Sequence, residues 1–170
     1  MITINYENFN PISQFIYENI INDIDFMTVP CPSCNHSGHL IKHAHYPRCL
    51  RTCDGVVSLR ILRVKCKFCG KTHAVLLVDI VPYSQIPLDD HLSVVQCDPS
   101  EDDSILDENP NLNISDIRYI RKQYKRFREP KIVSFRIPFD YDLSFNCFRN
   151  FRKQFMQIRS TVNSLFPLPT

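Results

Sequence analysis

The chain has 170 residues, 44% of them apolar and 22% charged, with a net charge of +2 and eight cysteines. That apolar content excludes a disordered chain, and no apolar run approaches the ~20 residues of a membrane span. The length suits one ordinary domain or two to three small modules tied by metal or packing.

The small net charge hides a segregated pattern. Residues 1–30 carry four acids and no base, 31–81 eight bases and two acids, 82–113 eight acids and no base, and 114–170 twelve bases and four acids. Two basic blocks divided by an acidic one predict two basic surfaces. Met1-Ile2-Thr3-Ile4-Asn5 has no positive charge ahead of an apolar core, so no signal peptide is expected, and the cysteines point to metal in a reducing cytoplasm rather than to disulfides.

In chain order, Asn10-Pro11 reads as an N-cap followed by a first-turn proline. Ile12, Phe15, Ile16 and Ile20 follow at helical spacing, which predicts an amphipathic helix over 11–22. Residues 1–29 are thus a helical segment covering the module that follows.

That module, 30–82, is organised by Cys31-Pro32-Ser33-Cys34 and Cys66-Lys67-Phe68-Cys69. A Cys-x-x-Cys turn aims two sulfurs at one point, and two such turns supply the four thiolates of a tetrahedral zinc site. Asn35 and Gly70 follow the knuckles and tolerate the left-handed backbone such turns need. The 31 residues between Cys34 and Cys66 suit a β-hairpin with arms 38–48 and 56–66 and Asp54-Gly55 near its tip. Val57, Leu59 and Ile61 alternate with polar residues, and a shift after Leu62 suggests a bulge. Residues 73–78 read as a third strand. The expectation is a three-stranded antiparallel zinc ribbon with one structural Zn2+ on Cys31, Cys34, Cys66 and Cys69, its −2 charge offset in part by Lys65, Lys67 and Lys71.

Four further donors, His43, His45, Cys49 and Cys53, match no standard metal spacing, and ordinary surface thiols are expected there. Cys97 and Cys147 stand alone, as small core residues do. His36, His39 and His73 flank the knuckles, but four cysteines already complete the ligand set.

Residues 83–130 turn helical. Leu88, Leu92 and Val95 mark one helix after Pro87, and Asp98-Pro99-Ser100-Glu101 opens a second over 99–107. After the Asn109-Pro110-Asn111 break, Asn113 caps a third helix to Arg128 with Ile114, Ile117, Ile120 or the aliphatic stem of Arg121, Tyr124 and Phe127 on its apolar stripe. Arg118, Arg121, Lys122, Lys125, Arg126 and Arg128 lie off that stripe. This predicts a helix-turn-helix-like unit whose basic helix meets DNA, with Arg60, Arg63 and Lys65 of the ribbon adding phosphate contacts.

In the tail, 131–170, Val133, Phe135, Ile137, Phe139 and Tyr141 alternate as an edge strand or arm. Ser144 then caps a long helix whose Phe148, Phe151, Phe155, Ile158, Val162 and Leu165 form one stripe. Such a stripe over 144–166 reads as core or as a seam for a homodimer or a protein partner. Three isolated glycines assemble no phosphate loop, and the acids crowd into 101–108 instead of converging from separate elements, so no enzyme is expected.

The run from Cys31 to Cys34 and from Arg63 to Ala74 resembles the N-terminal zinc ribbons of bacterial insertion-sequence transposases. The whole chain, with Val81-Pro82-Tyr83 and Phe155-Met156-Gln157-Ile158-Arg159, resembles a family of short bacterial zinc-ribbon proteins linked to mobile elements. The resemblance implies an association with DNA and the same four cysteine ligands, and the chain lacks the catalytic domain of full transposases. The expectation is therefore an α+β cytoplasmic protein that binds double-stranded DNA. The rival readings are a protein-interaction module and, because paired knuckles also hold iron, an electron carrier.

Overall fold

A long hairpin carries the architecture. In the computed structural model, which describes residues 1–6, 11–139, 143–151 and 156, β2 (Leu40–Thr52) and β3 (Gly55–Cys66) pair antiparallel from Leu40 opposite Cys66 to Thr52 opposite Gly55. The turn between them is Cys53-Asp54, with Gly55 at a φ of +122° that side-chain-bearing residues rarely adopt.

The sheet has four strands rather than the three expected. β1 (Ile2–Ile4) runs parallel to β4 (Thr72–Leu77), and the order is β1-β4-β3-β2. Three residues of strand propensity carry no readable period, so β1 is defined only by the edge it completes.

The expected shift in alternation on β3 has a different origin. β3 is continuous, and the register slips on its partner between Lys42 and Ala44, leaving His43 as the extra residue. A one-residue slip exchanges faces, so Leu40 lands on the same face as Cys66, and both are buried. Along β3 the buried set passes from Leu59 and Ile61 to Leu62, Val64 and Cys66, so the strand is covered first on one face and then on the other.

β3 and β4 are paired only over Arg63–Lys65 and Thr72–Ala74. Where they part, α1 (Gln14–Asn22) closes the gap. The buried Tyr17 hydroxyl accepts from Leu62 N at 2.9 Å and donates to Val75 O at 2.9 Å, while Arg60 N donates to Gln14 Oε1 at 2.7 Å. The helix starts three residues later than the sequence suggests because Ser13 caps it, its hydroxyl accepting from Ile16 N at 3.3 Å. Asn10 lies outside the described residues.

Beyond β4, α2 (Leu88–Gln96), a 3-10 turn (Pro99–Glu101), α3 (Asp102–Glu108) and α4 (Ile114–Phe127) enclose a second core of Ile86, Val94, Ile105, Leu112, Ile117 and Ile120. Both predicted caps form. Asp98 accepts from Ser100 N and Glu101 reaches back to Asp98 N, while Asn113 accepts from Ser115 N and Asp116 N and Asp116 returns to Asn113 N.

The tail departs from expectation. Residues 129–134 form α5 (Glu129–Ser134) instead of an extended arm, because Pro130 sits in the first turn of a helix, where its missing N–H costs nothing. Val133 is exposed, so the alternation marks no buried face. The next helix, α6 (Leu143–Phe151), begins before Ser144, which is therefore inside it. Tyr141 and the stripe residues Phe155, Ile158, Val162 and Leu165 lie outside the described residues. Ile132, Ile137, Leu143 and Cys147 join Val81, Leu88 and Tyr124 in a third core cluster.

Contacts cross the boundary at residue 82 proposed from sequence. Arg51 N donates to Gln85 O at 2.7 Å, Asn111 Nδ2 donates to Arg51 O at 3.0 Å, and the Arg51 guanidinium pairs with Asp116 at 2.9 Å. The distal end of the hairpin is thereby fixed to the start of α4.

Candidate metal centre and basic surfaces

The two knuckles repeat one backbone design. Cys31 N donates to His36 O at 3.0 Å and Asn35 N to Cys31 O at 2.8 Å; Cys66 N donates to Lys71 O at 2.9 Å and Gly70 N to Cys66 O at 2.9 Å. Asn35 and Gly70 hold equivalent left-handed positions, with φ of +60° and +72°. A side bond ties the turns together, from Lys67 N to His39 O at 2.8 Å, and the His36 ring stacks on Phe68 at 3.9 Å.

These turns bring the sulfurs of Cys31, Cys34, Cys66 and Cys69 within 4.8 Å of one another. Cys31–Cys69 and Cys34–Cys66 are each 3.7 Å apart, far beyond a disulfide bond of about 2.05 Å. A tetrahedral ion with metal–sulfur bonds of about 2.3 Å places its sulfurs about 3.8 Å apart. The donor set therefore fits a metal ion, with two buried ligands and two half-exposed ones.

The electrostatics favour thiolate at Cys31 and thiol at Cys34. Burial raises the Cys31 pKa, but the backbone N–H groups of Ser33 and Cys34, the Cys34 thiol and the His73 imidazole at 3.3 Å outweigh it and bring Cys31 to about 5. For Cys34 the His36 backbone lowers the pKa, while burial and the three neighbouring sulfurs raise it further, to about 12. Protons shared this unevenly among four close sulfurs are what a cation displaces on binding. His73 itself is buried and supports Cys31 through a hydrogen bond.

The other sequence candidates are dispersed. Among the described residues the four-cysteine set is the sole metal-competent cluster, so His43, His45, Cys49 and Cys53 do not form a second one. All eight cysteines are free, and Cys147 is a buried thiol that burial pushes up to about 12.

The basic residues divide into two groups. Arg118, Lys122, Lys125 and Arg126 are exposed on α4. Arg121 is not: its guanidinium pairs with Asp102 and also donates to Val94 O at 3.2 Å and to the Cys97 and Asp98 carbonyls at 3.4 Å. Arg128 donates to Met156 O at 2.8 and 2.9 Å and to Gln123 O at 3.0 Å, closing the end of α4. On β3, Arg60 and Arg63 are exposed and Lys65 is half-buried; strand alternation puts Arg60 on one face and Arg63 with Lys65 on the other.

Sequence reasoning passed over one feature. Arg63 lies over the Tyr46 ring, 5.1 Å from its centroid, beside two clefts of about 400 and 390 Å3. Both clefts are lined by Tyr46, Arg48 and Tyr83. The Pro82-Tyr83 dipeptide before Ser84 was the available signal, because proline favours the second position of a tight turn. Compared with family models, curated proteins and solved structures, the chain matches none of them.

Proposed function

We propose that the chain is a non-enzymatic DNA-binding protein in which a zinc ribbon is the rigid element and α2–α4 form a helix-turn-helix-like unit. The observation that carries this reading is the stripe of Arg118, Lys122 and Lys125. The three side chains are exposed at i, i+4 and i+7 of one helix, with no acid among the residues between them. A face of this kind tracks phosphates.

Arg121 and Arg128 leave the set of DNA contacts, because each is bonded to its own chain. Asp116 in the first turn of α4 pairs with Arg51, so the hairpin occupies the end of the helix that a recognition helix would insert. Contact through the middle turns favours phosphate binding over base reading. The ion on the four thiolates is structural, and zinc is the ion that suits four thiolates in a closed tetrahedral site. The likeness of the knuckle segments to insertion-sequence ribbons suggests mobile-element DNA as the setting.

The deciding experiment is a salt-titrated binding assay on random duplex DNA with the metal-loaded chain and with the Arg118→Ala/Lys122→Ala/Lys125→Ala variant. Loss of binding in a folded variant supports the reading, and retained affinity removes it.

A further inference from the structure

We infer that the two adjoining clefts along the hairpin bind unpaired nucleotides of a single nucleic-acid strand, with a base stacked on Tyr83 and a phosphate on Arg63. Only the class of partner rests on the function proposed above; the surface is a different one.

Tyr83 is the first observation. Ser84 N donates to Val81 O at 3.2 Å, closing a tight turn with Pro82 second and Tyr83 third. Tyr83 has a φ of +63°, a conformation that a turn normally assigns to glycine and that is unfavourable for a bulky side chain. The ring gains no burial in return, since it is 79% exposed. Backbone strain at an exposed aromatic beside a cleft marks a candidate ligand site.

The turn is also braced. Arg48 donates through one nitrogen to Val81 O and to Ser84 O, the latter at 2.7 Å, gripping the carbonyls on both sides of Tyr83. This fixes the turn that carries Tyr83, which lines both clefts. Tyr46 and Arg63 add a second aromatic and a cation held over it.

The lining chemistry selects the ligand. Among the described residues, two tyrosines and two arginines line the clefts and no carboxylate does. Aromatic faces interleaved with guanidinium groups and free of acids accept a flat ring carrying negative charge. Two clefts in succession fit consecutive nucleotides of a strand, and a duplex, whose bases are already stacked, offers no ring to Tyr83.

The test uses the full metal-loaded chain and fluorescence anisotropy with 12-nucleotide oligo-deoxythymidine and oligo-uridine, with a random duplex measured in parallel. Tyr83→Gly should weaken single-strand binding about tenfold or more while raising the melting temperature, because glycine relieves the turn. Arg63→Ala should weaken the same binding, and Tyr83→Gly should keep duplex affinity. The Arg118→Ala/Lys122→Ala/Lys125→Ala variant should show the reverse pattern, which separates this site from the α4 face. The tighter of the two oligonucleotides identifies the sugar. Absence of binding to both strands, unchanged affinity in Tyr83→Gly, or a lowered melting temperature in that variant would overturn the inference.

Discussion

Arg51 and Asp116 form a 2.9 Å ion pair that joins the distal end of the hairpin to the first turn of α4. Asp116 uses its other oxygen to cap its own helix, so one carboxylate serves both the helix and the joint. The side chains are 32% and 19% exposed, intermediate between surface and buried pairs. A double-mutant cycle with Arg51→Ala and Asp116→Asn should return a coupling of about 1–2 kcal/mol in urea melts. A coupling near zero would mean that the hairpin is held to α4 by the surrounding backbone bonds alone.

The Tyr17 hydroxyl fills the gap where β3 leaves β4. Removing it takes away the partner of the buried Leu62 N–H and of the buried Val75 carbonyl. Tyr17→Phe should therefore cost about 2–4 kcal/mol, although the ring and its packing remain. A loss below ~1 kcal/mol in chemical denaturation would show that the strands re-close without it.

His91 gives stability a dependence on pH. It is 1% exposed, with Nε2 3.0 Å from Ser84 Oγ and Nδ1 without a partner. Burial lowers its pKa to about 4, with the Arg128 charge adding to the effect and Asp116 opposing it. A folded pKa below the unfolded one means that the unfolded chain takes up the proton first. The stabilisation is complete above about pH 6.5 and is lost as pH falls towards 4, a change of about 3 kcal/mol. Burial pushes the Asp79 and Asp90 carboxyls up, which gives the opposite slope. The comparison with His91→Gln isolates the histidine: the stability of the wild type relative to the variant should fall by about 3 kcal/mol between pH 6.5 and 4.

The four-cysteine set should bind one ion per chain, and its removal should unfold the knuckle end of the hairpin. Chelator titration followed by circular dichroism checks this, with Cys66→Ser as the matching variant. Elemental analysis of the purified protein distinguishes zinc from iron, and a coloured protein would favour the iron reading.

The three phosphate contacts proposed for α4 predict a log–log salt slope of about −3 on duplex DNA. Lys122→Ala should reduce the slope by about one and weaken all sequences alike. A change confined to particular sequences would place Lys122 at base edges instead.

The parts of this architecture that were legible in the sequence are those fixed by local chemistry. Cys-x-x-Cys followed by Asn35 or Gly70 specifies a knuckle because few residues accept its left-handed position, and Asp98 and Asn113 mark helix starts because their side chains satisfy orphan N–H groups. What depended on distant partners was hidden. β1 exists only against β4, the His43 bulge belongs to the pairing rather than to either strand, and α5 replaced an arm that alternation had suggested. The basic stripe on α4 was visible as a composition, but its membership was not. Arg121 looked like Lys122 until Asp102 and the end of α2 came within its reach.

The hairpin also acts as a ruler. Arg51, at the joint with α4, lies eleven positions along from Leu40, beside the cysteine cluster, a span of roughly 35 Å at strand rise. An ion held at one end would be too far from the helix at the other to share any chemistry with it, and only the stiffness of the ladder connects the two ends. Such a ruler has a step size. Lengthening both arms by two residues would move the ends apart by about 7 Å and keep their faces aligned. Lengthening both by one would turn the knuckles to the opposite side of the molecule.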